Sequence, residues 1–263
     1  TNSLSFSLTN PLNSISVLAN GTGLSAVFGT YTGAISWTAK DNGVWDSAVH
    51  ALPKNWVQTT GSILAMTDFA NGVGVQFTDT AATGTITLSG VLSPGSMNFS
   101  NSAMNYVLGT DGSGVIAGAG SLLKSGSGWL TLNAANNTFS GGVIAAAGTL
   151  VISADSTVVS GTLVNGPLGI GTLLLGGARV MDNGGNRVVA NAVAISADTT
   201  LASTGTGSLL FSGAAGRAAT LLNSATLTVN TPTEFAQNIQ ASGQNLTIAG
   251  SSTTTISGTI ATG

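Results

Sequence analysis

One phrase recurs along this chain: an apolar residue, an outward residue and a second apolar residue, closed by Gly, Ser, Asn or Ala. Its second apolar residue is Leu88, Leu108, Leu132, Ile152, Leu175, Ile195, Phe211, Val229 and Ile248 in turn. The intervals run from 16 to 24 residues and average 20. Alternation sends neighbouring side chains to opposite faces of a strand, so each phrase reads as a short strand with two core residues. A unit of this size, repeated this often, predicts a solenoid whose coils touch only their neighbours. Two or three strands joined by Gly or Asn turns fill one coil. Equivalent strands then stack about 4.8 Å apart as a parallel sheet, which predicts roughly thirteen coils and a rod on the order of 60 Å long. An antiparallel sandwich, with strands roughly every 8–12 residues, does not explain why one phrase returns at one-coil spacing. The Gly and Thr content and the missing helical period disfavour helices. Gln58 to Ala70 is the one stretch where a short helix would be unsurprising.

Composition narrows the function. Only 6% of the 263 residues are charged, against roughly 25% in an average soluble domain. Hydrophobic residues make up 43%, but no run is long enough for a spanning helix. A transmembrane barrel would carry aromatic girdles, and the 5% of aromatic residues are not distributed that way. No membrane insertion is therefore expected. The absence of cysteine excludes disulfides and Cys metal sites. Six scattered basic residues and a net charge of −3 argue against a nucleic-acid partner. The segment from Thr1 lacks a basic region followed by an apolar one, so any signal peptide is expected to be already removed.

From Gly120 to Ser153 the chain reads GSLLKSGSGWLTLNAANNTFSGGVIAAAGTLVIS. This stretch resembles the autotransporter-associated β-strand repeat of bacterial autotransporter passenger domains. The matching features are Lys124, Gly126 and Gly128, Leu130 and Leu132, Asn137-Thr138-Phe139, Gly141-Gly142 and Gly148-Thr149-Leu150. Upstream, Trp45-Asp46, Asn55-Trp56, Phe77-Thr78-Asp79 and Ser93-Pro94-Gly95 look like the same proteins. Downstream, Pro167 to Leu175, Asp182-Asn183-Gly184-Gly185 and Arg187 do too. The resemblance extends roughly over residues 37 to 263. It implies an all-β, right-handed parallel β-helix that is exported and extracellular, displayed on or released from the cell surface. The chain departs from the pattern at Trp129, where the family usually has Thr, and its sequence contains no translocator barrel. Residues 1–80 are expected to form an N-terminal cap and the first coils, and 81–263 the regular β-helix. Residues 1 to 36 add only an alternating Leu4/Phe6/Leu8 strand.

Chemistry has few candidates. His50 is the only imidazole. A Ser-His-Asp triad would need it beside Asp41 or Asp46 and a serine, and no G-x-S-x-G elbow occurs. Asp182 and Asp198, with Arg179 and Arg187, form the only loose charged group, and solvated turn residues account for them as well. No calcium repeat or phosphate loop is present. No catalytic residue, metal or cofactor is expected, and the protein reads as a non-enzyme.

Two surfaces remain. Trp37, Trp45 and Trp56 fall within twenty residues. They are the candidate ligand site for surface glycans, or else they cap the N-terminal end of the helix. Between the core residues of the phrases lie Thr87, Val107, Thr131, Val151, Leu174, Ala194, Leu210, Thr228 and Thr247, none of them charged. Such an apolar stripe asks for cover. Trp129, Thr131, Val151, Leu174 and Leu210 are its candidate self-association residues, with Trp129 outward on the face of Thr131. The expected function is a structural solenoid that joins copies of itself, head-to-tail and laterally, into fibres or a surface layer. A glycan-binding adhesin is the alternative.

Overall fold

The computed structural model describes residues 13–20, 23–30, 33–60 and 63–262. It is an all-β parallel solenoid of about nine turns with a spacing near 22 residues. Nine turns stacked at about 4.8 Å span on the order of 40 Å. The sequence estimate of thirteen coils spread one even period over the whole chain. The segment before Gly74 instead holds antiparallel hairpins, and one later coil is lengthened by an insertion. The expected Leu4/Phe6/Leu8 strand lies outside the described residues. Two further strands, Asn13–Asn20 and Gly23–Thr30, pair as an antiparallel hairpin that the sequence reading missed.

Each regular coil visits up to three faces. The long face runs through Gly74–Phe77, Ser96–Phe99, Ser121–Lys124, Val143–Ala145, Leu173–Leu175 and Val193–Ile195, all parallel. The second face runs through Thr85–Leu88, Tyr106–Thr110, Trp129–Leu132, Thr149–Ile152, Arg179–Asp182 and Thr199–Ser203. A third strand follows the second-face strand in two early coils, where Val91–Leu92 pairs with Val115–Ile116, and a longer third face is built from Arg187–Val189, Leu209–Phe211, Thr233–Phe235 and Thr254–Ile256. Parallel pairing needs a long crossover between strands, and here the rest of the coil supplies it.

The core is a set of inward rows. On the second face Leu130, Leu150, Val180 and Leu201 follow one another in register, and all are buried. On the third face Val189, Phe211 and Phe235 do the same, with the two Phe rings stacked at 4.8 Å. Buried asparagines hold the corners. Asn137 accepts from the Ile116 N–H and donates to the carbonyls of Ala134 and Pro167. Asn191 donates to Gly169 and Gly171, and Asn101 to Met104 and Trp129. A buried amide that bonds across coils fixes the turn and satisfies backbone groups that would otherwise be orphaned.

Two departures from the sequence reading have physical causes. The Gln58–Ala70 stretch is not helical: Trp56–Thr60 and Ile63–Thr67 form a hairpin at the edge of the long face. The nine phrases do not mark one face. Leu88 to Ile152 lie on the second face, Leu175 and Ile195 on the long face and Phe211 on the third. The cause is a hairpin, Thr157–Val159 and Thr162–Asn165, inserted after Ile152. Its extra length makes a 23-residue step land on the next strand of a different face. The residues leading into the hairpin cover the edge of Arg187–Val189, with the Ser156 N–H bonded to the Val188 carbonyl and the Val188 N–H to Asp155. An edge covered this way is closed to stray pairing.

Coil stacking is tight enough to require glycine at the turns. A Cβ on Gly126 would sit 2.0 Å from the Asn101 carbonyl oxygen one coil below. Gly126→Ala should therefore destabilise the fold by about 1–3 kcal/mol through overpacking. Leu150→Ala should cost about 2–5 kcal/mol through a cavity. Equilibrium urea unfolding checks both.

Candidate functional site

Two regions gather polar groups. The first lies near the start of the solenoid. His50 Nε2 is 2.8 Å from Asp46 Oδ1, and Nδ1 is 3.1 Å from Asp41 Oδ2. Asp68 accepts from the His50 N–H and pairs with Lys54. Both ring nitrogens meet carboxylates, so the imidazole is held as a double donor, its charged form. The hydrogen bond that His50 donates to Asp46 raises the His50 pKa above 6.5; partial burial opposes it, and the charges of Asp46, Asp41 and Asp68 add to it. In this clamp no ring nitrogen is left to take a proton from a serine. The three residues of the imagined triad that do meet form an ion-pair knot.

Below the knot lie the tryptophans. Trp37, Trp45 and Trp56 are 0%, 0% and 2% exposed. Trp56 meets Trp37 at 4.8 Å and Trp45 at 5.3 Å, both edge to face. Phe69 and Phe77 close around them, and Phe77 stacks on Phe99 at 4.1 Å. The proposed glycan platform is corrected here: no ring face is open to a sugar, because the rings bury one another. Edge-to-face contacts hold such rings better than a solvated surface would.

The loose charged group of the later coils is dispersed as well. Asp182 is fully buried and accepts from the Gly184 N–H, the Ser203 hydroxyl and the Thr231 hydroxyl. It thereby ties its own coil to the next two. Asp198 accepts from the Thr226 N–H in a turn, Arg179 lies on the second face, and Arg187 on the third. Asp182→Ala would strand those buried donors and should cost about 1–3 kcal/mol, read by thermal unfolding.

The candidate association residues also separate. Trp129 is outward and exposed on the second face, with Thr131 half-buried beside it. Val151 follows Thr131 in register but is only 3% exposed, packed with Met181 and Ala202. Leu174 is half-buried on the long face and Leu210 half-buried on the third. One stripe was expected; three faces hold its members, for the reason the inserted hairpin gives.

What sequence reasoning missed is the outer row of the long face. It runs in register Ser36, Gln76, Asn98, Leu123, Ile144, Leu174, Ala194, Thr220 and Gln240. Four consecutive coils present Leu123, Ile144, Leu174 and Ala194, all half-buried, with polar positions before and after. The signal was available as the middle residue of the phrases LLK and VIA, which the reading passed over.

Residues 122–152 match the family described as Passenger-associated-transport-repeat. The chain carries this passenger repeat. No curated protein and no solved structure matches the chain. The match and the parallel solenoid together fit an autotransporter passenger-like repeat protein. The repeat spans Ser121–Lys124 to Thr149–Ile152, that is, one coil and the first two strands of the next. It therefore contains its own stacking interface: Leu122 to Lys124 pair with Val143 to Ala145, and Trp129 to Leu132 with Thr149 to Ile152. A repeat of this length is the smallest piece that specifies how one coil sits on another.

Lys124 of the repeat points inward and is 0% exposed. It stands in register between Phe99 and Ala145, and its Nζ donates to the Gly126 carbonyl. Burial pushes its pKa down to about 8, against the pull of Asp79. Asp79 itself accepts three backbone N–H bonds, from Ser102, Ala103 and Met104, and those bonds, Met104 first, lower its pKa.

His50 and Lys124 give opposite pH slopes. His50 is raised in the fold, so its contribution is complete below 6.5 and lost as pH climbs through the raised value. Lys124 is depressed, so between about 8 and 10.5 the unfolded chain binds more protons and stability rises with pH. Melting temperature should fall as pH rises from about 6.5 through the raised His50 value and climb between about 8 and 10.5. His50→Gln should flatten the fall, and Lys124→Met should remove the recovery.

Proposed function

We propose that this protein is a non-enzymatic structural solenoid, exported to the cell surface or its surroundings, whose copies associate side by side. The repeat and the fold are consistent with a structural or adhesive role. The repeat points to an exported or surface protein. Among the described residues no helix is long and apolar enough to cross a membrane.

One observation carries the lateral reading. The outer row Leu123, Ile144, Leu174 and Ala194 is apolar over four coils and bounded by Asn98 and Thr220. At about 4.8 Å per coil it forms a flat strip roughly 15 Å long. Two such strips facing one another would remove apolar area from water on both copies, at about 25 cal/mol per Å². Thr and Val on outer strand positions follow from strand propensity alone. A run of Leu, Ile and Leu at half-exposure does not. End-to-end contact would add to the side-by-side one through the second face, since a hairpin covers the first edge of the long face; a head-to-tail contact that does not close gives a filament.

Sedimentation velocity over a concentration series tests the proposal. The wild-type chain should shift to larger species with concentration, and Leu174→Asp should stay monomeric with an unchanged circular dichroism spectrum. Identical concentration dependence of the two chains would contradict it.

A further inference from the structure

The third face carries a groove of about 360 Å³ that the lateral proposal does not use. It runs along the solenoid axis, across the strands. Two outer rows, each stepping one coil at a time, line it: Asn186, Ser208, Pro232 and Thr253, and beside them Val188, Leu210, Glu234 and Thr255. Asp155, just before the inserted hairpin, lies 3.8 Å from the Arg187 guanidinium.

The groove combines an aliphatic floor with paired hydrogen-bonding groups. Val188, Leu210 and Pro232 supply the floor. Glu234, the only glutamate in the chain, is held through Oε1 by the Ser257 hydroxyl at 2.7 Å, and its Oε2 remains open. Arg187 is held through Nε by Asn183 and through Nη1 by the Asn186 carbonyl. Its Nη2 keeps its donors. The Ser208 hydroxyl fixes the Asn186 side chain by bonding to Oδ1 at 3.0 Å, which leaves the amide N–H groups available. Arg187 is paired with Asp155 and Glu234 lies two coils further along the groove, so neither builds a cluster of one sign that would select a charged ligand. They offer an acceptor and donors, which together suit groups that both give and take hydrogen bonds. Few convergent polar groups over an apolar floor are the usual make-up of a ligand site.

We infer that this groove binds a neutral oligosaccharide lying along the solenoid axis. Hydroxyl groups match the open acceptor of Glu234 and the donors of Arg187 and Asn186, and the apolar face of a sugar ring packs on Leu210 and Val188. The spacing decides against a peptide strand. Its same-face side chains recur about every 6.7 Å, out of step with groups that recur about every 4.8 Å from coil to coil. A saccharide chain repeats once per ring, and a pyranose unit is close in length to one coil. The site is on a different face from the buried tryptophans and from the apolar strip of the long face.

The test uses the whole chain on an array of neutral and charged oligosaccharides, beside an array of aliphatic peptides. Solution titration with the best-retained oligosaccharide follows. Wild type should retain neutral linear oligosaccharides. Glu234→Gln keeps the groove's shape and should weaken binding about tenfold, the effect expected of one charged hydrogen bond. Leu210→Arg fills the groove and should abolish binding. Trp129→Ser on the second face should bind as wild type does, and matching melting temperatures show that the variants are folded. Three results would overturn the inference: no oligosaccharide retained by folded wild type, equal affinity across the groove variants, or retention of peptides alone.

Discussion

A coil of about 22 residues cannot bury its own apolar side chains; the next coil does it. Leu150 is sealed by Leu130 on one side and Val180 on the other, and the same holds along every inward row. Register between coils is thus the constraint from which the rest follows. A slip of one residue would turn the whole row outward. The chain guards the register at the corners, where the amides of Asn101, Asn137 and Asn191 and the carboxylate of Asp182 bond from one coil to another. These buried polar groups fit one stacking arrangement and would be stranded in another.

The same constraint orders the surface. Once inward residues are in register, outward residues are too, and a side chain on one coil becomes part of a row. The row of Leu123, Ile144, Leu174 and Ala194 exists only because four coils agree. The groove on the third face exists because four successive coils set strands side by side there, Arg187–Val189 to Thr254–Ile256. Placing the strip on one face and the groove on another would let the proposed side-by-side contact and the inferred ligand binding coexist.

The period, the strands and the parallel stacking were legible because alternation and coil length leave direct marks in the sequence. So was the passenger repeat, whose turn glycines are demanded by close backbone approach, as at Gly126. Face assignment was not legible. A mean period of 20 residues conceals insertions, and Leu175 looked like the successor of Ile152 although Asp182 occupies that place in the ladder. The tryptophans were misleading for a related reason. Large rings near charged residues look like a binding platform, yet Trp37, Trp45 and Trp56 fill the wide interior of the early coils while Asp41, Asp46, His50 and Lys54 stay toward water. Sequence proximity gave the neighbourhood but not the direction in which each side chain points. The inward position of Lys124 was equally hidden, since a lysine in an alternating strand is normally read as its outward member.

Engineered cross-links test coil-on-coil register most directly, because the chain has no cysteine of its own. Leu123 and Ile144 face each other in adjacent coils. Parallel neighbours stand about 4.8 Å apart, within the span a disulfide bridges. Leu123 and Leu174 share the row but are two coils apart, at about twice that distance. With both positions changed to cysteine, the account predicts complete intramolecular oxidation of the 123/144 pair and none of the 123/174 pair, measured by mass spectrometry on dilute protein. Failure of the first pair to close, or closure of the second, would contradict the parallel stacking on which the fold, the strip and the groove depend.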